Sequence, residues 1–243
     1  MPLLEGRSLC MDYGRVRALG GVDVEIEEGQ VIGLLGPNGS GKTTLLNVLG
    51  GRIIPTAGEV RFDGALVTGK PPWVFGRLGI GRTFQIPRPF AGMTALDSAL
   101  VGVTFSRRRK LSRAADRRRE AERLLAIVGL ADKAGARASE LSLGELKRLE
   151  LAVALSTRPR ILLLDELASG LSPQARAEVL GFYARLRDRG VAIVAVEHSV
   201  GTLARVSDRL ILLSGGVIAA EGPPSTVLAS PRVAQTYLGD GDE

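Results

Sequence analysis

The strongest constraint on this chain is one run of eight residues, Gly36-Pro37-Asn38-Gly39-Ser40-Gly41-Lys42-Thr43, set between the apolar run Val31 to Leu35 and a helical pattern from Thr43 to Leu49. The spacing of Gly36, Gly41, Lys42 and Thr43 is that of G-x-x-x-x-G-K-[ST]. Glycines let the backbone turn its N–H groups towards anionic oxygens, and the helix that follows presents its positive end to the same anion. The run therefore predicts a phosphate cradle on a nucleotide. Lys42 would neutralise the β- and γ-phosphates, the Thr43 hydroxyl would coordinate Mg²⁺, and Pro37, Asn38, Gly39, Ser40 and Thr44 would complete the nucleotide contacts. The competing reading is a glycine-rich turn with a solvent lysine, and the flanking strand and helix weigh against it.

A second element lies far downstream, where the apolar strand Ile161 to Leu164 ends in Asp165 and Glu166. In an open α/β sheet the crevice that binds ligands lies at the carboxyl ends of strands, which is where this acid pair falls. Asp165 is expected to hold Mg²⁺ through water, and Glu166 to orient or deprotonate an attacking water. Taken alone, a strand ending in two acids is usually a surface pair, and the phosphate loop in the same chain is what favours chemistry.

Apolar runs bounded by turn residues recur at Val31 to Leu35, Ile161 to Leu164, Val191 to Val196 and Leu210 to Leu213, as strands buried on both faces of a mainly parallel sheet require. Helical patterns separate them, so the core is α/β. One such helix begins at Ser172-Pro173, an N-cap followed by proline, and stops near Gly190. Between about Pro87 and Thr157 the alternation breaks, with helical signals in Arg113 to Leu130 and Leu143 to Leu155. The expected organisation is a nucleotide-binding α/β core of residues 1–87 and 158–221, an inserted helical subdomain of residues 88–157, and a helical tail of residues 222–243 after Pro223-Pro224.

Composition narrows the class further. No window approaches the roughly 18 to 20 consecutive apolar residues of a membrane span, and the N-terminus lacks a basic segment followed by an apolar one, so the chain reads as soluble and unsecreted. Its single cysteine, Cys10, cannot form an internal disulfide and reads as strand packing. A net charge of +6 is of the sign that nucleic acid attracts, but Ser106 to Arg119 alone holds eight basic residues against Asp116. The basicity is therefore one local patch, read first as a solvated helix face and second as an anion-binding surface. No nucleic-acid partner is expected.

Between and after the two phosphate-site elements stand residues that resemble the ABC transporter ATPases. Leu141-Ser142-Leu143-Gly144-Glu145 is similar to that family's signature, Leu-Ser-Gly-Gly-Gln, and precedes the acidic strand as the family requires. Gln85 stands at the Q-loop glutamine, His198 at the switch histidine, and Tyr13 at the aromatic that stacks on adenine, although Tyr13 also reads as core packing. The resemblance runs nearly the whole chain in the right order. It implies a P-loop NTPase fold with a RecA-like core, a mainly parallel sheet, an N-terminal antiparallel β region and an inserted helical subdomain. It implies ATP and Mg²⁺ as ligands, with Thr43, Gln85 and Asp165 about the metal and Glu166, His198 and Gln85 serving catalysis. It also implies a head-to-tail dimer in which Ser142, Leu143, Gly144 and Glu145 of one subunit meet the γ-phosphate bound by the other. Ser142-x-x-Glu145 is equally a capping box that needs no ligand.

Leu143 and Glu145 depart from the usual signature, Leu167 replaces a proline, and Ser172 replaces an aspartate. These changes bear on dimer communication more than on ATP binding. The segments Gly81 to Phe90, Met93 to Asp97, Val196 to His198 and Pro231 to Gly239 look like the ATP-binding subunits of bacterial branched-chain amino acid importers, a subfamily shared with urea and amide importers. The resemblance implies a homodimer or a heterodimer with a paralogue, integral membrane permeases docking near Phe84 to Phe90, an indirect periplasmic or extracellular solute-binding protein, and a peripheral place on the cytoplasmic face of the membrane. Chromosome-maintenance ATPases share the motifs but insert long heptad-bearing helices, which the span from Lys42 to Ser142 is too short to hold. Ribosome-associated members generally carry two nucleotide-binding units. An inactive module is disfavoured by Lys42, Asp165, Glu166 and His198 together.

Overall fold

The computed structural model describes residues 1–83, 90, 92–106, 111, 113–197 and 199–233. A long antiparallel hairpin opens the chain, β1 (Leu4–Tyr13) and β2 (Val16–Ile26), turning at Gly14. Then come β3 (Val31–Leu35), α1 (Lys42–Leu49), β4 (Ala57–Phe62), β5 (Ala65–Leu66), α2 (Pro72–Leu78) and β6 (Ile80–Arg82). The helices α3 (Ala95–Phe105), α4 (Ala114–Ile127) and α5 (Leu143–Ser156) lie between β6 and the next strand, β7 (Ile161–Asp165). The chain continues through α6 (Pro173–Arg187), β8 (Ala192–Val196), α7 (Val200–Val206), β9 (Arg209–Ser214), β10 (Val217–Gly222) and α8 (Pro224–Leu228).

Among the described residues two sheets form. One is antiparallel, ordered β2-β1-β4-β5; the other is ordered β10-β9-β3-β8-β7-β6, parallel throughout except for the β9–β10 hairpin at its edge. Side chains alternate faces along a strand, and the parallel strands show what both faces bury. Ile161 and Leu163 pack with α1 and the antiparallel sheet, whereas Leu162 and Leu164 pack with α5 and α6. Ile32 and Leu34 of β3 join the first core, Val31 and Leu35 the second. Helix α1 is thus enclosed between the two sheets, with Leu45, Leu46, Val48 and Leu49 buried. That burial fixes the direction in which its N-terminus points, and the phosphate loop is that N-terminus.

The expected strands appear as β3, β7, β8 and β9, and the two helical signals before β7 appear as α4 and α5. Three helices carried no legible signal. Helix α3 buries one face, Ala95, Leu96, Ser98, Ala99, Gly102 and Val103, but Leu100, Val101 and Phe105 outside that face are apolar too, so its sequence shows no distinct apolar stripe. Helices α2 and α7 have seven residues each, too short for periodicity to register.

Candidate functional site

The phosphate loop bridges the carboxyl end of β3 and the first turn of α1. Two of its glycines are required by sterics. Gly36 has φ +150°, and a Cβ built there would lie 2.2 Å from the Leu213 carbonyl oxygen. Gly41 has φ +104°, and its Cβ would lie 2.4 Å from the Ala18 carbonyl oxygen. The loop is therefore pressed against β9 and β2 while its open side faces away. That side is a pocket of about 220 Å³ lined by residues including Asn38, Gly39, Lys42, Thr43 and Thr44 of the loop, Ala18 of β2 and Glu166. Lys42 Nζ donates to the carbonyls of Gly36 at 2.6 Å and Pro37 at 2.7 Å, which holds the ammonium over the loop. Burial lowers its pKa, and Glu166 and Asp165 oppose that shift.

Asp165 ends β7 beside β8, and only 2% of it is exposed. Its backbone N–H meets Thr83 Oγ1 at 3.4 Å, and Arg82 Nη2 stands 3.7 Å from its Oδ2. Burial raises its pKa; the Arg82 guanidinium, the Thr43 side chain and Lys42 pull it down. Oδ1 is buried with no hydrogen-bond partner. An unpaired buried carboxylate oxygen next to a hydroxyl has the donor character that a hard divalent cation takes. Among the described residues no group of three or more His, Cys, Asp or Glu could enclose a metal ion.

Glu166 takes a left-handed backbone, φ +54°, with its N–H donating to the Val196 carbonyl at 2.9 Å. This turn carries the Glu166 side chain to the pocket wall. The structure thus brings Lys42, Thr43, Asp165 and Glu166 together. Gln85 and His198 lie outside the described residues, as does most of the segment from Phe84 to Phe90 and the arginine-rich run Arg107 to Lys110.

The signature residues stand elsewhere. Ser142 caps α5 in a complete capping box, its N–H donating to Glu145 Oε2 at 2.8 Å and its hydroxyl to the same oxygen at 2.9 Å. These bonds lower the Glu145 pKa. Leu143 is 51% exposed, and Ser142 to Glu145 do not line the phosphate-loop pocket of their own chain. Tyr13 is 49% exposed at the end of β1, which disposes of core packing, and it too lies outside the pocket wall. A larger cleft of about 470 Å³ opens between α4, the end of α5 and the end of α6. Two of its arginines, Arg123 and Arg158, are paired with Glu120. Of the basic patch, Arg118 pairs with Glu122 one turn on and Arg117 donates to the Leu111 carbonyl, as a solvated helix face would.

Sequence reasoning passed over Arg82, Lys147 and Glu197. The signal for them was weak but present, because each is a charge set beside or within an apolar segment.

A glycine-rich loop between a parallel strand and an enclosed helix, with an acid at the end of a strand one place further along the same sheet, β8 lying between, defines a P-loop NTPase. Residues 19–169 match the ABC transporter family model, and the chain belongs to that family as a nucleotide-binding ATPase. It is 36% identical to the high-affinity branched-chain amino acid transport ATP-binding protein BraF of Pseudomonas aeruginosa, over 98% of each chain. It is similar to the crystal structure of a nucleotide-free ATP-binding cassette from an ABC transporter, with TM-score 0.88 and 30% identity over 99% of this chain and 100% of that one. It is also similar to a dimeric cassette in a post-hydrolysis state bound to ADP and Pi, with TM-score 0.84 and 26% identity over 91% and 98% of the two chains. Among the described residues no helix is long and apolar enough to cross a membrane.

Proposed function

We propose that this chain hydrolyses ATP as one half of a head-to-tail dimer and so powers import of branched-chain amino acids, or similar small polar solutes, through partner permeases at the cytoplasmic face of a membrane. The observation that carries the chemistry is the buried, unpaired Asp165 Oδ1 beside Lys42 and Thr43. The likeness to BraF over 98% of each chain supports the solute class.

In this reading the loop N–H groups and Lys42 hold the β- and γ-phosphates, Lys42 exchanging its loop carbonyls for phosphate oxygens. Thr43, Asp165 and Gln85 would hold Mg²⁺, which neutralises charge on the phosphates. Glu166, at the pocket wall, orients the attacking water and accepts its proton. Ser142, Gly144 and the N-terminus of α5 form an anion site that closes over the partner subunit's nucleotide, so a cap that is complete within one chain opens to a ligand in the pair. His198 senses the γ-phosphate and Tyr13 stacks on adenine, roles assigned by motif position. The unit of residues 88–157 moves against the core of residues 1–87 and 158–221, with residues 222–243 as an appendage. A permease helix seats near Phe84 to Phe90.

The test is ATP hydrolysis by the chain and its Glu166→Gln variant, with sedimentation in ATP and Mg²⁺. Turnover by the wild type, with an inactive variant that accumulates as an ATP-bound dimer, is the expected result. Undiminished hydrolysis by the variant would remove Glu166 from the mechanism.

A further inference from the structure

The segment after β7 is gripped from two sides by buried charges. Lys147, on α5, is 4% exposed; its Nζ donates to the Glu166 carbonyl at 2.7 Å and to the Ser169 carbonyl at 2.5 Å. Glu197, just past β8, is 6% exposed; its Oε1 accepts from the Ala168 N–H at 2.9 Å and from the Tyr183 hydroxyl of α6 at 3.1 Å. Three of the four residues from Glu166 to Ser169 are therefore held through their backbone by side chains from other elements. Burying an ammonium or a carboxylate is unfavourable unless its hydrogen-bonding groups are met, so packing alone would favour an apolar residue at either position.

What these charges hold is a strained turn. Glu166 sits at φ +54°, a region a non-glycine residue occupies only when its surroundings over-determine it. Its N–H is tied to Val196 and its carbonyl to Lys147, so both of its peptide groups are pinned. The same Lys147 lies on the helix that Ser142 caps. Glu197 favours the Lys147 ammonium, opposing the burial that pulls its pKa down.

We propose that Lys147 and Glu197 are positioning residues that fix the strained turn at Glu166, aim its carboxylate at the phosphate-loop pocket, and make α5 with its Ser142 cap move as one body with that turn. This rests on the functional reading above and deepens it. In a head-to-tail pair, Glu166 and Ser142 of one chain serve different nucleotides, and the Lys147 bonds link the two sites through the backbone of a single subunit.

The experiment compares Lys147→Met, Lys147→Arg and Glu197→Gln in the full chain, reading steady-state kcat and KM for ATP, the Kd of a fluorescent ATP analogue, and thermal unfolding. Lys147→Met is expected to lower kcat about tenfold or more while the Kd moves less than about threefold, since a small misplacement of the group that handles water costs rate before binding. Lys147→Arg, which keeps the charge and the donors, is expected to regain most of kcat. Glu197→Gln, nearly isosteric, is expected to lower kcat by about threefold or more with unchanged Kd. If kcat stays within about twofold in both Lys147→Met and Glu197→Gln while the wild type turns over, the positioning role alone is overturned. Parallel loss of kcat, affinity and melting temperature in Lys147→Met and Lys147→Arg alike would make the lysine merely structural and also overturn it. A wild type that neither hydrolyses ATP nor dimerises in it overturns the functional reading, and this inference with it.

Discussion

The guanidinium of Arg82 stands 3.7 Å from the carboxylate of Asp165, and the two residues lie on paired parallel strands with only 10% and 2% of their side chains exposed. Burial lowers the Arg82 pKa to about 10, with Asp165 opposing the shift. Burial raises the Asp165 pKa, and the Arg82 guanidinium opposes that shift. Replacing Arg82 with Met removes the largest influence holding the Asp165 pKa down. The acid limb of the pH profile of ATP hydrolysis should therefore move to higher pH, because the Asp165 carboxylate, the proposed Mg²⁺ ligand, is protonated over a wider acidic range. Breaking a buried pair costs about 3 kcal/mol, read by urea denaturation at neutral pH.

The capping box at Ser142 is a stability element of α5, and in the proposed dimer it would also be an anion site. Ser142→Ala should cost about 0.5 to 2 kcal/mol of stability through the lost cap. Glu145 has its pKa lowered by the Ser142 bonds, so its contribution is present above the usual carboxylate range and is lost as pH falls through its folded value. Glu145→Gln should then differ from the wild type at neutral pH and converge with it in acid. Denaturation midpoints measured across that range check the sign.

At Gly36 the backbone and the neighbouring strand together exclude a side chain. Gly36→Ala would drive a Cβ to 2.2 Å from the Leu213 carbonyl oxygen, so the loop must shift away from β9. Nucleotide affinity is expected to fall at least tenfold, a cost of about 1.4 kcal/mol or more at that site. Gly69→Ala is the control. Its φ is also positive, +74°, but its Cβ meets no atom within 4 Å, so it should cost about 1 kcal/mol of stability and leave affinity unchanged.

Leu143 is a large apolar side chain left 51% exposed at the start of α5. Leu143→Gln should alter monomer stability by no more than about 0.5 kcal/mol, as surface changes do. If this face meets a partner subunit, the same substitution weakens the ATP-bound dimer of Glu166→Gln, which sedimentation at graded protein concentration resolves. An unchanged dimer would place Leu143 outside the interface.

Some of this molecule was legible in local patterns. A glycine that must accommodate phosphate, a lysine and threonine at set distances from it, and apolar runs long enough to be buried strands announce themselves because their physics is local or periodic. That is why β3, β7, β8 and β9, the phosphate loop, and the Asp165-Glu166 pair could be read in advance, and why Ser142 and Glu145 could be read as a capping box. Helices α2 and α7 were too short to show a period, and in α3 the apolar Leu100, Val101 and Phe105 stand outside the buried face and blur the stripe.

The linear sequence by itself determined a P-loop α/β chain and the residue types of its phosphate site. Only the tertiary structure decided what stands around them. Arg82 reaches Asp165 because β6 and β7 pair, and Lys147 reaches Glu166 because α5 packs beside the end of β7. Glu197 meets Ala168 across 29 residues of sequence for the same kind of reason. Such contacts leave no periodic trace, since a buried charge is tolerated only by partners that the fold brings from elsewhere, and nothing in the neighbouring residues says which partners those are.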